Sequence, residues 1–382
     1  MSEWKELLMA DEIPEGWKEC RLGDIAEVVG GGTPKTDVAE YWNGEIPWIT
    51  PRDLSNFKGR YISKGERNIS EKGLIHSSAK ILPKGTILLS TRAPVGYLAI
   101  AENNITTNQG FRSLVPFDYT NNIFLYYLLK NNIEYLKSQA TGTTFGELAG
   151  SVLKSLIFPI PPLPEQRAIA GVLSSLDDKI DLLHRENKTL EQMAEALFRQ
   201  WFIEEAEDSW EESMLGDVVT ISYGKNLPIN KLLSNGYPVF GAGGQIGLYN
   251  EYLYEDPQVL VSCRGTAGEV NISLPKSFIT NNSLVLERNK RSEITFEYLK
   301  YHSLYYDFTP YVSGSVQPQI TINDLYRATF LIPPVHLIDK FSKIVRSYEK
   351  KRSNNIKQIR TLEKLRDTLL PKLMSGEVRV AI

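Results

Sequence analysis

Two arginines stand at matching places in the chain, each where a strand is predicted to turn. Arg92 and Arg264 both follow a run of strand-forming residues, and both belong to the pattern Ser-x-Arg-x-x-x-Gly. A guanidinium at a turn can donate two parallel hydrogen bonds to guanine or bind a phosphate. The alternative is an arginine in a surface ion pair. Because the pattern occurs twice, we treat both arginines as candidates for binding a nucleic acid.

Amide side chains follow each of these strand–turn pairs. Asn108 and Gln109 stand in the first copy, and Asn281 and Asn282 stand in the second. Asn and Gln are the side chains that pair with adenine edges. They are also common in turns, where they hydrogen-bond the nearby backbone. The sequence leaves both interpretations open.

A glycine-rich turn precedes each pair, as Gly-Gly-Gly-Thr-Pro-Lys-Thr at residues 30–36 and Tyr-Gly-Lys-Asn at residues 223–226. The first is not a P-loop, because Pro34 stands where that motif needs a glycine before its lysine. We interpret both as tight turns whose basic and hydroxyl groups could contact a phosphate. Residues 241–244 look like a cofactor-binding glycine turn, but Ile246 replaces its third glycine and no helical pattern follows, so we interpret them as a loop.

The sequence contains no recognisable catalytic or metal-binding motif. The four histidines lie far apart, and neither cysteine has the spacing of a metal site. An adenine methyltransferase needs a polar residue before its Pro-Pro pair, whereas Ile160 and Ile332 precede the two pairs here. The sequence therefore predicts a chain with no catalytic residues and no metal.

The composition is that of an ordinary globular protein, and it argues neither for a membrane span nor for a basic nucleic-acid-binding domain. The 382 residues carry a net charge of −3. The apolar runs are much shorter than about 18 residues, and two cysteines suit a reducing cytosol. We expect a cytoplasmic chain, and any DNA-binding surface must be locally positive or lent by partners.

The elements that would position these residues are two long helices and a duplicated globular unit. Residues 164–203 carry a heptad pattern in which Leu173, Ile180, Asn187 and Ala194 form one row. Asn187 at an interior position suggests control of register. A second heptad pattern spans residues 336–374. A helix of about 40 residues is roughly 60 Å long and needs another long helix to pack against.

An internal repeat connects the two helices. Gly142 aligns with Gly314, 172 residues later, and we call this shift the repeat offset. The same shift aligns Phe158 with Phe330 without a gap. The fold class we predict is α+β, with two similar mixed α/β domains separated by two long helices that form an antiparallel coiled coil. The predicted boundaries are residues 1–158 for the first domain, 159–205 for the central region with its long helix, 206–332 for the second domain and 333–382 for the C-terminal region with its helix.

Several stretches in this order are similar to the specificity subunits of type I DNA restriction–modification systems. They are Arg-Leu-Gly-Asp at residues 21–24, Ile-Pro-Trp-Ile at 46–49, Leu-Pro-Lys-Gly-Thr at 82–86, Thr-Asn-Gln-Gly-Phe at 107–111, Pro-Pro-Leu-Pro-Glu-Gln-Arg at 161–167 and Leu-Pro-Lys-Leu-Met-Ser-Gly-Glu-Val at 370–378. The resemblance covers nearly the whole chain. The second copy departs from it, because residues 336–339 replace the Pro-Glu-Gln-Arg of the first, which puts equal subunit contacts by the two hinges in doubt.

The resemblance implies two target-recognition domains that each recognise one half of a split double-stranded DNA site. It implies that the helices fix the gap between the halves and that two modification (methyltransferase) subunits bind, with restriction subunits joining through the complex. S-adenosylmethionine, ATP and Mg²⁺ would then bind to partner subunits and no cofactor to this chain. The other hypotheses are a coiled-coil adaptor that binds only proteins, and an enzyme in its own right.

Polar loops before the last strand of each copy complete the candidate set, since their hydroxyl and amide groups could contact bases or only cap the next element. The candidate DNA-binding residues are Thr33, Lys35, Thr36, Arg52, Arg92, Asn108, Gln109, Thr143, Thr144, Lys225, Asn226, Arg264, Asn281, Asn282, Ser315, Gln317 and Gln319.

Overall fold

The computed structural model describes residues 13–141, 146–289, 293–314 and 317–381. It divides into two compact units. The first comprises everything up to His184 together with the chain from Ile356 onward, and the second runs from Arg185 to Asn355. We call residues 13–160 head 1 and residues 205–332 head 2.

Head 1 is built on three small sheets. Its strands are β1 (Lys18–Arg21), β2 (Ala26–Gly30), β3 (Trp42–Ile49), β4 (Tyr61–Ile62), β5 (Arg67–Ile69), β6 (Ile87–Thr91), β7 (Val95–Ala101), β8 (Thr106–Thr107), β9 (Arg112–Pro116) and β10 (Ile157–Ile160). They pair in the orders β2-β9-β6-β7-β4, β5-β3-β8 and β1-β10. Its helices are Leu22–Ile25, Pro51–Leu54, Glu71–Ile75, Asn122–Asn131, Ile133–Ser138 and Gly150–Ser155, with a 3-10 turn at Ala39–Tyr41.

Head 2 repeats this plan. Its strands are β11 (Glu211–Met214), β12 (Val219–Tyr223), β13 (Tyr237–Gly241), β14 (Gly244–Tyr249), β15 (Val259–Ser262), β16 (Val270–Ile272), β17 (Phe278–Ile279), β18 (Ser283–Arg288) and β19 (Thr329–Ile332). The orders β12-β18-β15-β16, β14-β13-β17 and β11-β19 match those of head 1, except that only head 1 adds β4. Its helices are Leu215–Val218, Phe296–Tyr305 and Ile322–Tyr326, with 3-10 turns at Ile229–Lys231 and Thr309–Tyr311. The duplication therefore extends to strand pairing.

The tyrosine-rich helix of each head is a core element. Asn121 and Thr295 cap the two helices by accepting hydrogen bonds from the backbone N–H groups of Phe124 and Tyr298. Tyr127 and Tyr298 are buried, so these aromatic side chains fill the core rather than a stacking surface. In head 1 this helix ends at Asn131 and a second one begins at Ile133, and the side chain of Asn132 between them donates to the carbonyl oxygen of Leu128.

The first long helix spans Leu163–Arg199 and continues into a π-helical turn at Gln200–Glu204. The second spans Val335–Ser375. Within the first unit, Ile180 and Leu183 form an apolar cluster with Ile359 and Leu362. Since the earlier part of one helix meets the later part of the other, the two helices are antiparallel in this unit.

The second unit contains the opposite halves of the same helices. There Ala194 and Phe198 of the first long helix share a core with Phe341 and Val345 of the second, and with the aromatic residues of head 2. This pairing is again antiparallel. The heptad prediction is confirmed along both helices, but Phe198 and Phe202 are buried beside it because they pack on Tyr298.

Within the part of the chain that the structure describes, no helix combines the length and apolar character needed to cross a bilayer.

Candidate nucleic-acid interface

Backbone hydrogen bonds bring the candidate loops of head 1 to one edge. The N–H of Gly32 donates to the carbonyl oxygen of Thr107 at 2.8 Å, which joins the glycine-rich turn to the amide loop. The N–H of Thr91 donates to the carbonyl oxygen of Gly110 at 2.8 Å, and the N–H of Leu148 donates to that of Thr91 at 2.9 Å. The glycine turn, the amide loop, the arginine turn and Leu148, which follows the polar loop in sequence, are therefore neighbours.

Head 2 has the same arrangement at its own loops. The N–H of Lys225 donates to the carbonyl oxygen of Ile279 at 2.9 Å. The N–H of Cys263 donates to that of Asn282 at 3.0 Å, and the N–H of Ile320 donates to that of Cys263 at 3.1 Å. The bond of Cys263 is equivalent to that of Thr91 in head 1, and the bond of Ile320 is equivalent to that of Leu148, because the repeat offset aligns these residues. We call the two loop clusters the head 1 edge and the head 2 edge.

The glycines of the first turn are needed for close packing. A Cβ atom on Gly31 would lie 2.0 Å from the carbonyl oxygen of Asn108, and one on Gly32 would lie 2.3 Å from the backbone nitrogen of Ala79. In head 2, a Cβ on Gly224 would lie 2.3 Å from the carbonyl oxygen of Thr280. The glycines thus allow the turn to contact the amide loop, as the tight-turn interpretation requires.

Many candidate side chains on the two edges are exposed. In head 1 these are Lys35, Thr36 and Gln109; in head 2 they are Lys225, Asn226, Asn282, Gln317 and Gln319. Thr33 and Asn281 are half-buried, and Thr33 donates to the side-chain oxygen of Gln109. Thr143, Thr144 and Ser315 lie outside the described residues. Exposed amides, hydroxyls and amines at one edge can bind base edges and phosphates.

Asn108 has a structural role. Its Oδ1 accepts a hydrogen bond from the N–H of Gly110 at 2.9 Å, and its own N–H donates to the carbonyl oxygen of Ile49 at 2.9 Å. The side-chain oxygen of Asn108 therefore hydrogen-bonds the backbone of its own turn. This is the structural role that the sequence left open as an alternative to base contact.

The candidate arginines differ in their surroundings. Arg52 is exposed, with 84% of its side chain accessible, and its Nη1 lies 3.9 Å from Oε2 of Glu66. Arg92 is half-buried, and its Nη1 lies 4.0 Å from Oε2 of Glu147. Arg264 is exposed, and its backbone forms an isolated antiparallel β-bridge with that of Gln319. The surface ion pair considered as an alternative is thus present for Arg92 but is weak at this distance.

The glycine stretch at residues 241–244 is the turn of a hairpin between β13 and β14. The carbonyl oxygen of Ala242 in this turn accepts hydrogen bonds from Oγ of Ser262 and from Nδ2 of Asn271 at 3.1 Å. Because the carbonyl is committed to these contacts, the turn serves to hold head 2 together, in agreement with the loop interpretation.

Across the described residues, no group of three or more His, Cys, Asp or Glu side chains could hold a metal. Near the head 2 edge, burial raises the pKa of the Cys263 thiol, so this cysteine is a poor nucleophile. Both edges present exposed hydrogen-bonding groups and basic side chains.

A family model described as type I restriction modification DNA specificity domain matches the chain twice, at residues 14–192 and 207–364. The chain belongs to the type I restriction–modification DNA specificity family. Each match contains one head and part of a long helix.

Curated relatives of this specificity family include one that matches nearly end to end. The MjaIX specificity subunit of Methanocaldococcus jannaschii is 38% identical, with 99% of this chain and 97% of the relative covered. The EcoR124I/EcoR124II specificity subunit of Escherichia coli is 29% identical over 45% of this chain and 43% of the relative.

Solved specificity subunits confirm the predicted fold class. The S subunit of a type I system from Mycoplasma genitalium superposes with a TM-score of 0.61 at 22% identity, over 96% of this chain and 98% of that one. A chain from a structural study of complex assembly and conformational transition in the type I R-M system superposes with a TM-score of 0.52 at 19% identity, over 96% and 100% of the two chains.

The specificity-family motif at residues 164–167 has an internal role that the sequence did not reveal. Glu165 is 1% exposed, accepts a hydrogen bond from Nε1 of Trp17 at 3.1 Å and forms two bonds with the guanidinium of Arg379, at 2.6 and 2.9 Å. Gln166 accepts from the N–H of Asn121 at 2.8 Å. These residues therefore join head 1 and the C-terminal segment to the start of the first long helix.

The second hinge lacks this junction. Leu337 stands at the place of Glu165, and Trp210 matches Trp17. Nε1 of Trp210 is buried without a hydrogen-bond partner among the described residues. The indole of Trp17 thus has a carboxylate acceptor in Glu165, whereas the indole of Trp210 has none in the described part of the chain, because Leu337 replaces that glutamate.

A buried polar network in the first unit was also not predicted. Asp177 of the first long helix accepts hydrogen bonds from the Tyr127 hydroxyl at 2.6 Å and from the guanidinium of Arg366 at 2.7 Å. Arg60, 6% exposed, donates to the same tyrosine hydroxyl at 3.0 Å. Head 1 and both helices therefore meet at one carboxylate. The only sequence feature that marked this site was Asp177, a charged residue next to an apolar heptad row.

Proposed function

We propose that each head recognises one half of a bipartite double-stranded DNA site through its edge. The observation that supports this most directly is the duplicated set of backbone hydrogen bonds, which brings the glycine turn, the amide loop and the arginine turn together in both heads. Each edge carries one turn arginine and several exposed amides, the groups that form sequence-specific contacts in the major groove.

The gap between the two half-sites would be fixed by the long helices. Asn187 and Asn355 pair in the second unit, and Ile180, Leu183, Ile359 and Leu362 pack in the first. A polar pair and an apolar cluster in one coiled coil oppose sliding of one helix along the other, because a shifted register would bury the amides against apolar side chains.

The long helices would also bind two methyltransferase subunits, with restriction subunits joining through the complex. In the first unit, Leu182, Ile356 and Leu365 lie on these helices and are 48%, 42% and 45% exposed. A protein partner bound along the helices would bury these side chains. The study of type I complex assembly that contains the second solved relative is in keeping with such an assembly.

Methyl transfer and cleavage would belong to the partner subunits, and so would the binding of S-adenosylmethionine, ATP and Mg²⁺. This chain would contribute specificity and positioning without catalysing either reaction. The family to which it belongs is defined by DNA specificity, which favours this division over an enzyme in its own right.

The competing function is a coiled-coil adaptor that binds only proteins, and the net charge of −3 is its main support. The deciding experiment uses the chain in complex with its methyltransferase subunits. Methylome sequencing of the host, with and without the gene, first identifies the modified site.

Fluorescence anisotropy then compares duplexes in which one half-site, the other, or neither is scrambled. We expect scrambling of either half to weaken binding by at least tenfold at moderate salt. Equal binding to all three duplexes would favour the adaptor.

A further inference from the structure

The turn arginines of the two heads face different residues at one aligned position. The repeat offset aligns Glu147 with Gln319. The structure places both in equivalent antiparallel bridges, since Glu147 pairs with Thr141 in head 1 and Gln319 pairs with Ser313 in head 2. The comparison of a carboxylate with an amide at this position is therefore a comparison of equivalent places.

In head 1, the carboxylate of Glu147 lies between two guanidinium groups. Its Oε1 is 3.4 Å from Nη2 of Arg112, and its Oε2 is 4.0 Å from Nη1 of Arg92. The three side chains are 40%, 26% and 39% exposed in the order Glu147, Arg112 and Arg92. Arg112 is further held by a hydrogen bond from its Nη1 to the carbonyl oxygen of Phe111 at 3.0 Å. Glu147 is thus placed to attract both arginines.

In head 2, both the carboxylate and the second arginine are replaced. Gln319 stands for Glu147, and Leu284, which is buried, stands for Arg112. Arg264 is exposed, and within the described part of head 2 it forms no ion pair. Over these aligned positions alone, the two heads carry the same net charge of +1, from two arginines and one carboxylate in head 1 and from one arginine in head 2.

We propose that the residue at this position sets the strength and the selectivity with which each turn arginine binds DNA. Glu147 orients Arg92 and Arg112 and offsets one of their two charges, while Gln319 leaves the charge of Arg264 open to DNA. The inference rests on the function proposed above, since it assumes that both edges contact DNA.

The carboxylate makes head 1 more selective. A phosphate that attracts Arg92 also repels Glu147, so binding without correct base contacts gains little. A cognate half-site supplies further hydrogen bonds that outweigh this repulsion. At a cognate half-site the guanidinium donates to neutral base edges, whereas at a non-cognate site it contacts only phosphates, whose negative charge is repelled by Glu147. Replacing the carboxylate by an amide therefore strengthens non-cognate binding more than cognate binding.

The test exchanges the two residues. Glu147→Gln gives head 1 the amide of head 2, and Gln319→Glu gives head 2 the carboxylate of head 1. Glu102→Gln is the matched control, because exposed Glu102 follows the end of β7 opposite to the Arg92 turn and carries the same charge change. Each variant is measured as the complex with methyltransferase subunits, on duplexes with the cognate or a scrambled half-site for the mutated head, across a series of salt concentrations.

We expect Glu147→Gln to bind the duplex with a scrambled head 1 half-site roughly 3- to 10-fold more tightly and to steepen the slope of log K against log salt by about one. We expect Gln319→Glu to weaken binding by a similar factor and to reduce the slope by about one. Glu102→Gln should change neither quantity.

The outcomes separate the inference from the function on which it rests. If the wild-type complex does not distinguish cognate from scrambled half-sites, the proposed function is wrong. If it distinguishes them but Glu147→Gln leaves both the slope and the discrimination of head 1 unchanged, only the role of Glu147 is wrong. An unchanged slope for a folded Gln319→Glu complex would likewise overturn the role of Gln319.

Discussion

Nδ2 of Asn355 donates a hydrogen bond to Oδ1 of Asn187 at 3.0 Å, and it also donates to a carboxylate oxygen of Glu186 at 2.8 Å. Asn355 is 1% exposed. Both asparagines occupy interior heptad positions of the long helices, so the seam between the helices contains an amide pair at this level.

Replacing Asn355 alone should destabilise the second unit. Asn355→Leu leaves the amide of Asn187 facing a leucine, and we expect the free energy of unfolding to fall by about 1–3 kcal/mol. The double variant Asn187→Leu with Asn355→Leu should recover most of that loss, because two apolar side chains then face each other. Urea titration followed by circular dichroism measures both. If the double variant were as unstable as the single one, the pair would contribute directly to stability, and a role limited to fixing the register would be wrong.

Asp177 should be the most sensitive carboxylate of the first unit. Burial alone would raise its pKa, but hydrogen bonds from Arg366 and Tyr127 outweigh burial and hold the pKa below the ordinary value. We expect Asp177→Ala to cost about 3–5 kcal/mol, because it leaves buried cationic and hydroxyl groups without their acceptor. Asp181 on the same helix is the control, because burial and the neighbouring carboxylate of Asp177 raise its pKa, so Asp181→Ala should cost much less. Thermal unfolding of both variants tests the difference.

The sign of the pH effect at Asp177 follows from its lowered pKa. The stabilisation is complete above the pKa of the unfolded chain, about 3.9, and is lost as the pH falls through the lower pKa of the folded state. The wild type should therefore lose stability more steeply below about pH 4 than the Asp177→Ala variant does.

His302 should make head 2 sensitive to mild acid. Burial lowers its pKa to about 4, and its ring packs between Tyr306 and Phe330 with a buried Nδ1 that has no hydrogen-bond partner among the described residues. The unfolded chain binds a proton near pH 6.5 and the folded chain does not, so stability falls as the pH drops from about 6.5 to 4, by up to roughly 3 kcal/mol. His302→Phe should remove this slope. An unchanged slope in unfolding measured at several pH values would contradict it.

Shortening both long helices should change the spacing of the two half-sites. Removal of residues 184–190 and 352–358 deletes one heptad from each helix and preserves the interior rows. At 1.5 Å per residue the deletion removes about 10 Å, so the preferred gap should shrink by about three base pairs. Anisotropy on duplexes with graded gaps measures the preference. The same gap in the shortened chain would contradict the spacing role of the helices.

The turn arginine of head 2 should contribute to specificity. If Arg264 contacts a base, Arg264→Ala costs about 1–3 kcal/mol of binding and relaxes preference at one position. If it contacts a phosphate, the loss is uniform across sequences and the salt slope falls by about one. Binding to a set of singly substituted duplexes distinguishes the two. A variant equal to wild type in both respects would remove Arg264 from the interface.

The long helices and the repeat could be predicted because both signals are periodic or collinear. The heptad rows around Leu173 and Ile180 define the seam, and the constant repeat offset defines equivalent loops. The break of the head 1 helix at Asn132 could not be predicted, since asparagine is tolerated inside helices and only its bond to Leu128 marks the interruption.

The candidate site was predictable as a set of loops but not as individual contacts. Turn arginines and amides indicated which loops to compare, and the structure joins those loops at each edge. That Asn108 is committed to Gly110, or that Glu147 faces two arginines, depends on pairings that residue types alone do not fix. The DNA-contact assignments stay predictions.

The discontinuity of the first unit has a consequence for biosynthesis. The second unit uses one uninterrupted stretch, Arg185 to Asn355, whereas the carboxylate of Asp177 pairs with a guanidinium translated 189 residues later. A nascent chain can therefore finish its later-made unit while the earlier-made one still lacks a helical segment. We therefore expect the ordinary vectorial order, in which the amino-terminal part matures first on the ribosome, to be inverted for this protein.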